Sequence, residues 1–256
     1  MRVEPGDVER NLNTAAELVS SSAQAGAQLA LLPEALPFGW MDYQARAHAE
    51  SLPDGRPFRF FADLARQNEI FLCTGLVERK EESIFNAAVL ISPQGELLLH
   101  HRKIYELTIA HDSYALGDRL GVVDTPLGRL GLMICADGFA PGQAITRALC
   151  LMGAQVILSP CAWAAPPGHD NVAAPYGKLW IDNYGAVTND FPTWIAGCSN
   201  VGPIKSGPWA GYHCIGSSLV MGPGGKTAAR GSYGVNAEEI IYCEIEPIVS
   251  PRPGVE

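Results

Sequence analysis

Three short apolar runs constrain this chain more than any other feature of it: LALLP at 29–33, ELLLHH at 96–101 and RLGLMI at 129–134. Each is too short for a core helix and reads as a buried strand. Each gives way to a chemically capable residue: Glu34 after the first, Lys103 after the second, Cys135 after the third. In open α/β sheets, ligands bind in the crevice beyond the carboxyl ends of the strands. A carboxylate, an ammonium and a thiol converging there would form a working set for acyl transfer.

The segments between these runs decide the fold class. Asp7 is placed to cap a helix running to about residue 25, with Leu12, Ala15, Ala16, Val19 and Ala23 on one face and Gly26 as its stop. Further helices are expected from Pro57 to about Asn68, from Pro141 to Met152, and over 172–188. IFLCTGLV, FNAAVLIS, VVDT, QVILSP, TWIAGCSN, IGSSLVM and EIIYCEIE read as further strands, with hairpin turns at Pro93-Gln94-Gly95 and Pro126–Gly128. Strands and amphipathic helices are interspersed, hairpins are among them, and no composition break marks a linker. The pattern predicts one mixed-sheet α/β domain over 1–256 with its helices outside.

Composition removes several functions. A net charge of −9 opposes binding to nucleic acid or to an anionic membrane surface, both of which select basic patches. No apolar run approaches the ~18 residues of a transmembrane helix, and MRVEPGDVER is polar where a signal peptide is apolar. The 7 cysteines are odd in number and include no C-x-x-C. They read as reduced thiols in a cytoplasmic protein, with no disulfide framework or zinc site.

Taken singly, Glu34 and Lys103 read as surface charges and Cys135 as a small inert core residue. Their combination is what points to chemistry. A thiol needs a base within hydrogen-bond reach. A buried carboxylate can serve as that base and later protonate a leaving amine. A lysine supplies positive charge where an oxyanion develops. Cys161 is a rival, since VILSPC also ends a strand, but a loop follows it. Cys135 is followed by the helix expected near Pro141, whose N-terminal amides favour a thiolate. Other motifs fail. GPGGKT lacks the first P-loop glycine, because Val220 stands there, and neither G-x-S-x-G nor H-E-x-x-H occurs.

The segments GAQLALLPEALPFGW, HRKIYEL and GRLGLMICADGFAPGQAITRAL resemble the nitrilase superfamily of carbon–nitrogen hydrolases, and GAQVILSP, CSNVG and GSSLVMGPGGK extend the likeness over nearly the whole chain. The resemblance implies a four-layer α-β-β-α sandwich of mixed sheets, a homodimer or larger homo-oligomer, and no metal or organic cofactor. It implies a Glu34, Lys103, Cys135 triad that cleaves a small-molecule amide, with the amide of Ala136 helping to hold the oxyanion. Hydrolysis of an N-carbamoyl compound or a nitrile is the alternative on the same scaffold. A non-catalytic binding or assembly subunit is the second alternative.

Three departures stand out. Only MRVEP occupies the place of the family's opening strand, so that strand is expected to be missing or to lie upstream. The second glutamate found after the lysine in many members is absent at that place, with Asp112 the nearest acid and His111 beside it. Cys-Ala-Asp replaces the Cys-Trp-Glu typical of nitrile-hydrolysing members, which favours amides. No arginine closely follows Cys135 to clamp a substrate carboxylate. Trp40 and Trp163 lie a few residues beyond strand ends, where they could wall the pocket.

Overall fold

Two mixed sheets lie face to face in the computed structural model, which describes residues 1–248. The first half of the chain supplies α1 (Val8–Gln24), β1 (Leu29–Leu31), α2 (Ala45–His48), α3 (Arg56–Gln67), β2 (Phe71–Lys80), β3 (Ser83–Ile91) and β4 (Leu97–Arg102). Its sheet runs β1-β2-β3-β4, with β1 parallel to β2 and the rest antiparallel. The second half supplies β5 (Val122–Thr125), β6 (Gly128–Leu132), α4 (Ala144–Leu151), β7 (Val156–Cys161), β8 (Ala164–Ala165), α5 (Lys178–Asp190), β9 (Trp194–Ser199), β10 (Val201–Pro203), β11 (His213–Ile215), β12 (Leu219–Gly222) and β13 (Lys226–Arg230). Its main sheet runs β13-β12-β9-β7-β6-β5, with β6, β7 and β9 parallel, and β10-β11-β8 form a small separate sheet.

The layering follows from the two-residue period of the strands. In β1, β2 and β3, Leu29, Leu31, Cys73, Ala88 and Leu90 point to one face and meet Leu130, Leu132, Val156 and Leu158 of the facing sheet. Their neighbours Ala30, Leu32, Leu72, Leu76, Val89 and Ile91 point the other way, onto Leu12, Ala15 and Val19 of α1 and Phe58, Phe61 and Leu64 of α3. On the far side, α4 and α5 cover the second sheet through Ile145, Leu149, Trp180, Tyr184 and Val187. The order of layers is therefore α-β-β-α, as the resemblance implies.

Three expectations are corrected, and a fourth, that the opening strand is missing, meets a single bridge and no strand. EIIYCEIE has the alternation of a strand but pairs with none. Side chains take its carbonyls and those beside it: Trp194 Nε1 donates to Glu246 O at 3.0 Å and Gln155 Nε2 to Ile248 O at 2.9 Å. The residues standing in place of an opening strand make one parallel bridge, Arg2 to Val201, through Val3 N–Val201 O and Val201 N–Met1 O bonds of 2.9 Å each. The helix expected over 172–188 begins only at Lys178, after Pro175 and after Gly177 at φ +101°. The helix expected from Pro141 is broken by left-handed backbone at Gly142 and Gln143, and α4 starts at Ala144.

A cavity of about 1270 Å³ opens along the free edge of β1, lined by Leu29–Pro33, Cys198, Ser217 and the segment around Tyr242. Glu34, Lys103 and Cys135 do not line it.

Candidate active site

Glu34 stands just past β1, on a turn pressed against β2. Gly75 makes that approach possible: a Cβ there would lie 2.5 Å from Glu34 Cα and 2.7 Å from both Ala35 N and Pro33 O. Bonds from Gly75 N to Pro33 O (3.0 Å) and from Leu36 N to Gly75 O (3.2 Å) fasten the turn, and Glu34 N donates to Cys161 O at 3.2 Å. The carboxylate is only 1% exposed.

Lys103 leaves β4 with its amide bonded to Asn86 O at 2.9 Å, which directs the side chain inward. Its Nζ lies 2.8 Å from Glu34 Oε1 and 2.8 Å from Glu106 Oε1. Asn86 Nδ2 ties the two acids together, donating to Glu34 at 2.6 Å and to Glu106 at 3.1 Å. Burial works against the charge on Lys103, yet the two carboxylates outweigh it and hold the ammonium well above the usual lysine range. Burial pushes the Glu34 carboxyl up; Lys103 opposes that shift and Glu106 adds to it.

Cys135 follows β6 on a sharp turn, at φ +42°, a conformation few non-glycine residues adopt. Residues Cys135–Phe139 form one 3₁₀ turn. Asp137 holds the turn in place: Oδ2 accepts from Ile134 N at 2.9 Å and pairs with His101 Nε2 at 2.8 Å, while Oδ1 accepts from Ile104 N at 3.1 Å and Tyr105 N at 2.7 Å. One carboxylate thus bolts the cysteine turn to the chain leaving β4, where Lys103 sits. Ser159 Oγ accepts from Cys135 N at 3.1 Å. The amide of Ala136 belongs to a first helical turn, whose N–H groups have no partner inside the helix. Burial raises the Cys135 thiol well above the usual range; Cys161 and Glu34 add to the rise and Lys103 opposes it. Burial thus works against the thiolate that a helix start near Pro141 is expected to favour.

The fold brings Glu34, Lys103 and Cys135 together from β1, β4 and β6. Cys135 is the most accessible of them, at 9%. Trp40 is buried with its ring centroid 6.0 Å from Lys103 Nζ, and Trp163 is buried two residues beyond Cys161. The indole N–H of each has no hydrogen-bond partner among the described residues. Asp112 and His111 do not join the group: both lie on the exposed outer surface of the loop. The buried second acid is Glu106, three residues after Lys103, where the loop turns inward. Sequence reading missed Glu106, Asn86, Asp137 and Ser159. The spacing Lys-x-x-Glu was a signal for the first; the others act on partners distant in the chain.

A thiol, a buried carboxylate and an ammonium held between two carboxylates can together form and break an acyl–sulfur bond, given a carbonyl beside Cys135. Known proteins share the sequence pattern and the fold. The sequence pattern described as carbon–nitrogen hydrolase matches residues 1–248. A nitrilase of Pyrococcus abyssi is 29% identical over 93% of this chain and 84% of its own. An ω-amidase of Saccharomyces cerevisiae is 28% identical over 95% and 84%. Among solved structures, a Glu→Gln mutant of an amidase from Nesterenkonia, shown with acrylamide added to its active-site cysteine, superposes with a TM-score of 0.75 at 25% identity, covering 91% of this chain and 86% of that one. A carbon–nitrogen hydrolase of Helicobacter pylori shares the fold at a TM-score of 0.80 and 23% identity, over 96% and 87%.

Proposed function

The chain belongs to the carbon–nitrogen hydrolase family, and on that premise we propose that it hydrolyses the C–N bond of a small carboxamide through a thioester on Cys135. Cys135 Sγ attacks the amide carbonyl carbon as its proton passes to Glu34. A C–S bond forms and the carbonyl π pair moves onto oxygen, where Lys103 Nζ and the Ala136 N–H receive it. When the C–N bond breaks, Glu34 returns the proton to the departing nitrogen. A water, deprotonated by Glu34, then attacks the thioester, and the acid leaves with the thiol restored.

The observation that carries this reading is the Lys103 bridge, 2.8 Å to each of two buried carboxylates. An uncompensated carboxylate at this depth would stay protonated and could not accept the thiol proton. Lys103 opposes that, and Glu106 keeps Lys103 charged. Cys-Ala-Asp at 135–137 and the amidase names of several relatives support amides as substrates. Exposed Leu151 and Met152 at the end of α4 and Leu179 on α5 support self-association, which sedimentation at micromolar concentration would measure. No helix among the described residues is long and apolar enough to cross a membrane, consistent with the proposed cytoplasmic setting.

The test is ammonia release across amides, N-carbamoyl compounds and nitriles, with mass spectrometry of the intact protein for an acyl adduct on Cys135. Turnover of an amide with an adduct on that residue is the expected result. Turnover of nitriles alone would redirect the reading, and iodoacetamide labelling of Cys135 no faster than of the other six cysteines would favour a non-catalytic subunit.

A further inference from the structure

We propose that the cavity along the free edge of β1 is a slot for one extended apolar segment of another polypeptide, with basic residues at its ends and backbone pairing on both sides. One side of the slot is β1 itself. Its ladder with β2 uses alternate residues: Phe71 N donates to Gln28 O at 3.0 Å and Leu32 N to Cys73 O at 2.8 Å. The N–H and C=O groups of Leu29 and Leu31 therefore point away from β2, and no strand pairs with that edge. The other side is the segment Ile240–Ile245. Its exposure alternates as on a strand, with Ile241, Cys243 and Ile245 half-buried and Tyr242 and Glu244 exposed. No backbone–backbone bond joins it to anything among the described residues. Both stretches line the same cavity.

Ser217 is an independent sign that something polar belongs in this space. It is 3% exposed, sits at φ +59° with its amide bonded to Ser232 O at 2.9 Å, and lines the cavity. Its Oγ has no hydrogen-bond partner among the described residues. A buried hydroxyl left unpaired costs free energy, and the backbone of an inserted segment would satisfy it. The walls define the chemistry of that segment. Leu18 and Val19 of α1 line the cavity from one layer, and Leu130, Leu158 and Ala196 from the facing sheet. A strand covered on both faces is a continuous apolar run. The charged side chains that line the cavity are Glu239 and Glu244, which complement basic ends. Residues 249–256 of this chain suit the slot poorly, because Pro251 and Pro253 have no N–H to give to a ladder.

The probe is a fluorescein-labelled peptide, Lys-Val-Ala-Val-Val-Ala-Lys, titrated into the full chain and read by polarisation. Binding with a Kd of about 10 µM is expected. Methylating alternate peptide nitrogens removes the donors of one edge and should weaken binding at least about tenfold. Replacing both lysines by glutamate should weaken it about fivefold at low salt, and Glu244→Lys should reverse that order. Amide exchange at Leu29, Leu31 and Ile240–Ile245 should slow about tenfold when the peptide is added. No binding at about 1 mM peptide would overturn the proposal. Equal binding of the methylated peptide would do the same, since it would reveal an apolar patch that does not pair strands. An order of affinities unchanged by Glu244→Lys would overturn the basic ends. Slow exchange at these amides before any peptide is added would mean that the slot is already filled. Sedimentation as a dimer would then assign it to a second copy, and sedimentation as a monomer to residues 249–256; either result overturns a foreign occupant.

Discussion

Two cysteines stand at the carboxyl ends of neighbouring parallel strands, and they differ in almost everything except residue type. Cys161 completes β7 in regular pairing with β9; its thiol turns to Ser159 O at 3.2 Å within its own strand, and it is fully covered. Cys135 lies three residues beyond β6, on backbone with positive φ, in a turn held by Asp137 and Ser159. The strand end supplies a location. Positive-φ backbone, fixed by buried polar bonds, sets Cys135 apart from Cys161, which stays in regular strand pairing.

The sharpest way to break this contrast is to remove each thiol. Cys135→Ala should abolish amide turnover, a loss of about 10⁵-fold, whereas Cys161→Ala should cost less than about tenfold. Comparable losses in both would erase the distinction. Next comes the bolt between the turn and β4. Asp137→Asn keeps the volume but replaces an acceptor of four bonds with a group that also donates, and kcat should fall about 10³-fold with the fold retained by circular dichroism. A change confined to KM would show that Asp137 does not position the nucleophile. Gly75→Ala should cost about 100-fold, because the new Cβ displaces backbone at Glu34 and no flexible side chain can yield instead. An unaffected rate would mean that the Glu34 turn is not held where β2 puts it.

The smallest effect separates failure of the site from failure of the fold. Glu78 is desolvated, but hydrogen bonds from Arg102 and His100 outweigh this and push its carboxyl down to about 2 from 4.5. A depressed carboxyl contributes stability that is present above pH 4.5 and lost as pH falls toward 2, about 2 kcal/mol after allowance for solvent screening. Glu34 shifts the opposite way, raised above 4.5 by burial. Activity should therefore decline at higher pH than stability does. Parallel pH series of kcat/KM and of urea midpoints would show coincident losses if that order is wrong.

The contrast between the cysteines also marks where sequence reading stops. LALLP, ELLLHH and RLGLMI announce buried strands and place Glu34, Lys103 and Cys135 at or near their ends, because short apolar runs with abrupt polar stops have few other uses. EIIYCEIE carries an equally good alternation and forms no strand, because side chains of Trp194 and Gln155 take carbonyls in and beside it. Asp112 looked like the second acid by position in the loop, yet the chain turns so that Glu106 is buried and Asp112 faces solvent.

By itself the sequence determined the α/β class, most of the strands and the three residues proposed to act, since hydrophobic period and strand stops are local properties. Tertiary structure decided the rest: that Lys103 is shared between two acids, that Asn86 joins them, that Asp137 fastens the Cys135 turn across 33 residues of chain to the exit of β4, and that Cys161 is fully covered in its own strand. Those facts depend on hydrogen bonds and desolvation between residues far apart in the chain, and no local pattern encodes which distant partner a buried charge will meet.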